Sequence, residues 1–198
     1  MQDCYKIIEK PNNVSWEELA KLQQRAHQEN NAKGIKMQCA NYTGEQLKAS
    51  VDGGNTFVAL NSSGEVKAML SVVPKKVNRW WHRGIAGYIC YIAVAIECQG
   101  KGIYKQLSKV AYDEASKKGI NVVYLNTHID NVAAQKAYLK DGYKLVRFSP
   151  GSGTDYYSVE MAKWLDGKGI NEWVCKMMFL LSKLFVKVVF KPGKIRRF

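Results

Sequence analysis

The chain has 198 residues, 46% of them apolar, which is room for one ordinary domain, or one domain with an appendage, around a buried core. Its five cysteines (Cys4, Cys39, Cys90, Cys98 and Cys175) are odd in number and lack CxxC spacing. That argues against a disulfide framework and a zinc site, leaves no metal centre expected, and points to a reducing, cytoplasmic compartment. A formal charge of +13 attracts polyanions, whether nucleic acid, anionic lipid or a phosphorylated cofactor, and its sign does not choose among them.

In chain order, the first residues hold no apolar stretch of signal-peptide type, and 4–8 read as a first strand. Ser15-Trp16-Glu17-Glu18 spells a capping box, after which Trp16, Leu19, Ala20 and Ala26 recur near the helical period. Thr43-Gly44-Glu45-Gln46 is a second box, opening a short helix that stops by Gly53-Gly54. Residues 56–60 and 66–73 read as strands joined by the turn Asn61-Ser62-Ser63-Gly64. Residues 74–83 are basic, carry Trp80, Trp81 and His82, and are expected as a loop or ragged strand ends. His82 there either lines an acceptor pocket or sits in an apolar loop patch. Residues 85–96 are almost continuously apolar, as in a central strand buried on both faces.

Gln99-Gly100-Lys101-Gly102 comes next, and then a helix with Ile103, Leu107, Val110, Ala111 and Ala115 on one face and Lys105, Lys109, Asp113 and Lys117 on the other, ended by Gly119. A strand over 122–127, caps at Asp130-Asn131, a helix over 132–141 stopped by Gly142, and strands over 144–148 and 156–162 complete the order. Strand–helix–strand–helix after an antiparallel start predicts an α/β (α+β) domain: a mixed sheet with helices on both faces.

A buried strand, a glycine turn and a helix start in immediate succession make a natural pyrophosphate cradle: the first helical amides are unpaired, the macrodipole is positive there, and glycines permit close approach. Taken alone, such a turn is more often only a turn. The stretch from Ile92 through Gln99-Gly100-Lys101-Gly102-Ile103 resembles the acyl-CoA signature Q/R-x-x-G-x-G/A of the GNAT superfamily of N-acyltransferases. Some thirty residues on, Asn131 to Tyr143 resembles that superfamily's second block, N-x-x-A-x-x-x-Y-x-x-x-G-F/Y. The match is close over 91–143 and loose, by element order, over 5–162.

The resemblance implies a mostly antiparallel sheet of six to seven strands over 1–165, an acetyl-CoA cosubstrate, and acetyl transfer to a primary amine by direct attack. It implies that the backbone of Ile92, Ala93 and Val94 pairs with the pantetheine arm, and that amides from Gln99, Gly100, Lys101, Gly102, Ile103 and Tyr104 hold the pyrophosphate. It further implies that Asn131 touches the pantetheine and that Tyr138 protonates the leaving thiolate. Read without the family, Tyr138 is core packing beside Ala134 and Ala137. Two positions depart from the pattern: Tyr104 stands where the signature has Gly or Ala, and Asn126 where many ribosomal-protein N-terminal acetyltransferases carry a Glu base. For the base, His128 at the end of the same strand has a suitable reference pKa; Asp130, Tyr91 and a water chain are the alternatives. A catalytically inactive acyl-CoA-binding or membrane-scaffold protein remains open, and a nucleic-acid-binding module is less favoured because no nucleic-acid motif accompanies the basic segment.

Residues 166–198 form a separate basic unit. Residues 163–198 hold nine lysines and arginines against Asp166 and Glu172, a net of +7. In 171–190, Lys176, Lys183 and Lys187 share one narrow helical stripe in an otherwise apolar run, with Lys191, Lys194, Arg196 and Arg197 beyond. About 20 helical residues reach roughly 30 Å, but three lysines inside argue against crossing a bilayer. The expectations are an amphipathic helix peripheral to the inner membrane face, or one packed on its own domain or on a second subunit. Membrane contact would suit a lipid-linked amine acceptor, and its absence a small-molecule amine.

Overall fold

The computed structural model of the chain describes residues 5–35, 38–150 and 157–189. Cys4 at the expected start of the first strand, Tyr156 at that of the last, Phe190 at the helix end and the cations from Lys191 onward lie outside the described residues, as does the Lys187 side chain.

β1 (Lys6–Glu9) leads into α1 (Trp16–Ala26), the short α2 (Gln28–Ala32) and α3 (Gly44–Ser50). Both expected caps form. The Ser15 hydroxyl accepts from the Glu18 amide at 3.1 Å. Thr43 makes the full reciprocal box, its hydroxyl taking the Gln46 amide at 3.2 Å while its own amide donates to Gln46 Oε1 at 3.0 Å. The Gly44 amide also donates to the Glu17 carboxylate, tying α3 to α1.

β2 (Asn55–Leu60), β3 (Val66–Arg79) and β4 (His82–Val94) form an antiparallel meander. Of the loop and the ragged strand ends expected for the basic segment, the structure has strand ends: it is the end of one strand and the start of the next, turning on Trp80-Trp81 with Arg79 opposite His82. Its tryptophans are used in packing: Trp81 is buried, with its indole donating to Glu160 Oε1 at 3.0 Å, and the Trp80 indole donates to the Val146 carbonyl.

α4 (Ile103–Lys117), β5 (Val122–His128), α5 (Val132–Lys140), β6 (Lys144–Pro150), β7 (Tyr157–Trp164) and α6 (Glu172–Val189) complete the chain order. The sheet has seven strands in the order β1-β2-β3-β4-β5-β7-β6, and among the described residues only the β4–β5 pair is parallel.

Successive β4 side chains point to opposite faces. Cys90 packs with Val51 and Val73 beneath Trp16, so α1 and α3 cover that face. Gly87, in the opposite phase, lies against Val72, Val123 and Ile120, the last of these just past the end of α4, so α4 covers the other. α6 lies along β6. Cys175 and Val186 are buried there, Phe179 meets Phe148 edge-on at 6.2 Å, and the Phe148 amide donates to the Ser182 hydroxyl at 2.9 Å. Each fully buried apolar side chain of this kind contributes about 1.5–3 kcal/mol, enough to hold the helix on the sheet.

Candidate active site

Two local irregularities open the centre of the sheet. β4 and β5 pair only at Gly87–Val123 and Tyr88–Tyr124, although β4 runs on to Val94 and β5 to His128. Beyond Tyr88 the two strands separate. On its other edge β4 carries a bulge: Met69 pairs with Ala93 but Ser71 with Cys90, so β4 holds one residue more than β3 across the same interval. Tyr91, at the bulge, has φ +54°, which only a few per cent of non-glycine residues adopt.

The result is a cleft of about 460 Å³ between the strands. Its walls come from β4 (Tyr88 to Ile92), β5 (Leu125 to His128), the start of α5 (Asn131, Ala134, Tyr138) and, across the opening, α1 and α2 (His27, Glu29, Asn30) with Tyr42.

The turn before α4 closes one end. Gly100 and Gly102 both stand at φ +76°, a conformation that costs an L-side chain of order 1 kcal/mol and costs glycine nothing. A Cβ at either would meet no atom within 4 Å, so the ground before the turn is open. Gly102 caps α4 with no side chain, and the first amides of that helix therefore have no side-chain partner. Gln99 leans back, its Nε2 donating to the Val94 carbonyl at 3.2 Å. An anion fits this turn by the chemistry of its donors.

Among the twelve residues singled out from sequence, Ile92, Gln99, His128, Asn131 and Tyr138 line the cleft together. Gly100, Lys101 and Gly102 form the adjoining turn. Ala93 and Ile103 are buried, so only their backbones face outward roles, and the Val94 carbonyl is already taken by Gln99. Asn131 Oδ1 caps α5 by accepting from the Ala134 amide at 3.2 Å.

Tyr104 is turned in, away from the cradle. Its hydroxyl donates to Asp141 Oδ2 at 3.2 Å, and Tyr112 donates to the same oxygen at 2.9 Å and bonds Tyr143 at 2.9 Å. Lys163 neutralises the carboxylate from 3.0 Å and lies over the Tyr112 ring at 4.6 Å. A bulky side chain is therefore accommodated at a signature position usually held by Gly or Ala. The Tyr138 ring stands against those of Tyr104 and Tyr143, with centroids 5.8 and 5.9 Å apart, and burial raises the Tyr138 phenol above its ordinary value of 10.0. It stays protonated at neutral pH.

Two imidazoles face the cleft. His128, on β5, is buried, accepts the Asp130 amide at Nδ1 (3.0 Å) and has the Asp130 carboxylate 3.6 Å from the same nitrogen. The other, His27 at the α1–α2 junction, belongs to no sequence motif. Desolvation lowers its pKa, opposed by the nearby Ile92 carbonyl, and its Nδ1 lies 3.3 Å from Asn30 Nδ2. Among the described residues, His27 Nε2 and Thr127 Oγ1 are buried cleft atoms without a hydrogen-bond partner. His82 does not line the cleft; its Nε2 lies 3.2 Å from the Ile85 carbonyl.

Residues 4–143 match the model of the acetyltransferase (GNAT) family. Among curated proteins, N-alpha-acetyltransferase 30 of Schizosaccharomyces pombe is 34% identical over 90 residues, covering 44% of this chain and 56% of that protein. The chloroplastic GCN5-related N-acetyltransferase 6 of Arabidopsis thaliana is 27% identical over 110 residues, covering 56% of this chain and 30% of that one. The matched stretch thus spans about half, or less, of the length of these relatives. The fold is shared with an acetyltransferase of the GNAT family from Staphylococcus aureus Mu50 (TM-score 0.64, 18% identity, 82% of this chain and 99% of that one). It is also shared with the ribosomal-protein-S18-alanine N-acetyltransferase of Escherichia coli (TM-score 0.60, 19% identity, 85% and 98%).

Proposed function

Because the chain belongs to the acetyltransferase (GNAT) family, we propose that it moves an acetyl group from acetyl-CoA to a primary amine. The observation that carries this reading is the parting of β4 and β5 beyond Tyr88, which puts Tyr138 in the lining of one cleft with Asn131 and His128, next to the glycine turn of α4. Nitrogen acceptors are also named for both curated relatives and for the E. coli enzyme.

In this reading the amides of residues 99–104 and the α4 dipole hold the pyrophosphate, as the open ground before Gly100 and Gly102 supports. The β4 edge from Ile92 to Val94 pairs with the pantetheine as an added strand, and Asn131, its Oδ1 spent on the cap, offers its amide nitrogen. The cosubstrate supplies a thioester carbonyl with a thiolate leaving group. As the amine attacks, a C–N bond forms, the C–S bond breaks, the amine's proton passes to a base and the thiolate takes the phenolic proton of Tyr138. We assign the base to His128. Its Nδ1 accepts the Asp130 amide at 3.0 Å, with the Asp130 carboxylate 3.6 Å away.

Release of free thiol from acetyl-CoA over a panel of amines tests the assignment. Tyr138→Phe should lower kcat by about 10²- to 10³-fold while acetyl-CoA affinity shifts less than about threefold, and His128→Gln should lower kcat in the same way with acetyl-CoA affinity kept. An unchanged kcat in Tyr138→Phe would remove the acid role, and an unchanged kcat in His128→Gln would hand the base to solvent. Acetyl-CoA binding by calorimetry with no thiol release from any amine would favour the second reading, a non-catalytic acyl-CoA-binding protein.

A further inference from the structure

Outside the matched residues 4–143, α6 presents two unlike sides. Cys175, Phe179, Ser182 and Val186, spaced by four, three and four residues, clamp it along β6. On the other side Trp173, Met177, Leu180, Leu181, Leu184 and Phe185 are exposed, Trp173 by 69% and Phe185 by 64%. At about 100° per residue these six span roughly 140° of the helix, along about 18 Å of its length. So broad an apolar face on a helix that is already docked by its opposite side calls for an occupant.

The charge beside it selects one. Lys176 and Lys183 run along one edge of the stripe, with Glu172 the lone acidic residue of the helix, and the sequence continues into Lys191, Lys194, Arg196 and Arg197. The whole chain carries +13. A second copy docking through the same stripe would bring two basic edges and two basic tails together. Anionic headgroups complement both the cations and, beneath them, the apolar face. The clamp on β6 keeps the helix flat against the domain, so it presents its side and not its end, and no helix among the described residues is long and apolar enough to cross a membrane.

We propose that the exposed face of α6 docks this protein onto an anionic lipid surface, its axis in the plane of the interface, the apolar stripe entering the acyl boundary and the lysine edge against headgroups. This goes beyond the acetyl-transfer reading and does not depend on it.

Co-sedimentation of the full chain with phosphatidylcholine vesicles, with and without phosphatidylglycerol, tests the proposal. The wild type should pellet with the mixed vesicles and stay in solution with the neutral ones, and added salt should release it. Leu180→Ser with Leu184→Ser should lower partitioning by at least about tenfold, and Lys183→Glu by about fivefold, with unchanged circular-dichroism melts because all three side chains lie off the clamped face. The proposal is overturned if the wild type ignores the mixed vesicles, or if the double variant still binds them as tightly. It is also overturned if light scattering gives a dimer that the double variant converts to monomer without any vesicle binding. Thiol release measured without lipid is untouched by either result, so failure here and failure of the transferase reading are distinguishable.

Discussion

The sheet has two halves built on opposite terms. In the half formed by β5, β7 and β6, strands pair along their length, with seven partnered positions between β5 and β7. Two carboxylates enclosed there are matched by other groups of the chain. Asp141 takes Tyr104, Tyr112 and Lys163, and Glu160 takes the Trp81 indole with Arg79 3.8 Å away. At the β4–β5 junction, pairing stops after two positions, a tyrosine holds an uncommon backbone conformation, and buried polar atoms of His27 and Thr127 lack partners among the described residues. One half is completed by its own side chains. The other has the unspent hydrogen-bonding capacity that a ligand requires.

The contrast breaks most visibly at the glycine turn. Gly102→Val forces φ out of the left-handed region and re-aims the first amides of α4. Losing two charge-assisted hydrogen bonds to a diphosphate costs about 3 kcal/mol, so coenzyme A affinity should fall about 100-fold by calorimetry while the fold survives, since no atom crowds that position. Retained affinity would show that the diphosphate sits elsewhere and that the junction is open for another reason.

On the completed side the same scale of effect should appear in stability and not in binding. Asp141→Ala strands two phenols and the Lys163 ammonium in partly buried surroundings, with 14% and 22% of the Asp141 and Lys163 side chains exposed. A loss of about 2 kcal/mol in urea unfolding is expected, with coenzyme A affinity within about threefold of wild type. If instead affinity collapsed and stability held, Tyr104 and its carboxylate would belong to the ligand site, and the two halves would not be divided in this way.

How far each half could be read from sequence depends on the range of its interactions. Helix limits were legible because they depend on neighbours: Ser15, Thr43 and Asn131 each cap the helix immediately after them by accepting an amide three residues on. The two motif blocks singled out Gln99, Asn131 and Tyr138, and the end of the strand before the second block singled out His128; these four line one cleft. Residues 74–83 left a loop and ragged strand ends both open because Pro74, Lys75, Lys76 and Arg79 have the composition of a loop, whereas β-pairing of Lys75 with Ala86 and Lys76 with Ile85 decides for strand ends from about ten residues away. The inward turn of Tyr104 depends on Asp141, 37 positions later, and nothing near Tyr104 announces it. His27 carries no motif either. It reaches the cleft because α1 packs on β3 and β4, and only tertiary structure reveals that.

The smallest effect separates the two halves by their tyrosines. Burial raises the phenols of Tyr104, Tyr112 and Tyr143 far beyond the reach of ordinary alkaline titration, because ionising any of them would put a second negative charge near Asp141 in an enclosed place. Tyr91, half-buried at the bulge and beside the cleft, is pushed up only to about 12, first by desolvation and against the help of Ser50. A folded-state pKa above the ordinary 10.0 means that the native state favours the neutral phenol. Its contribution is therefore intact below about pH 10 and is lost as pH climbs from there towards 12. Tyr91→Phe removes that one titration. Relative to its own stability near pH 8, the variant should lose less than the wild type by about pH 11, by some tenths of a kcal/mol and at most about 1 kcal/mol after allowing for solvent screening of a half-open site. Equal losses in the two proteins, measured by denaturant midpoints at both pH values, would mean that the Tyr91 phenol ionises as readily in the native state as in the unfolded chain, and that burial beside the cleft does not reach it.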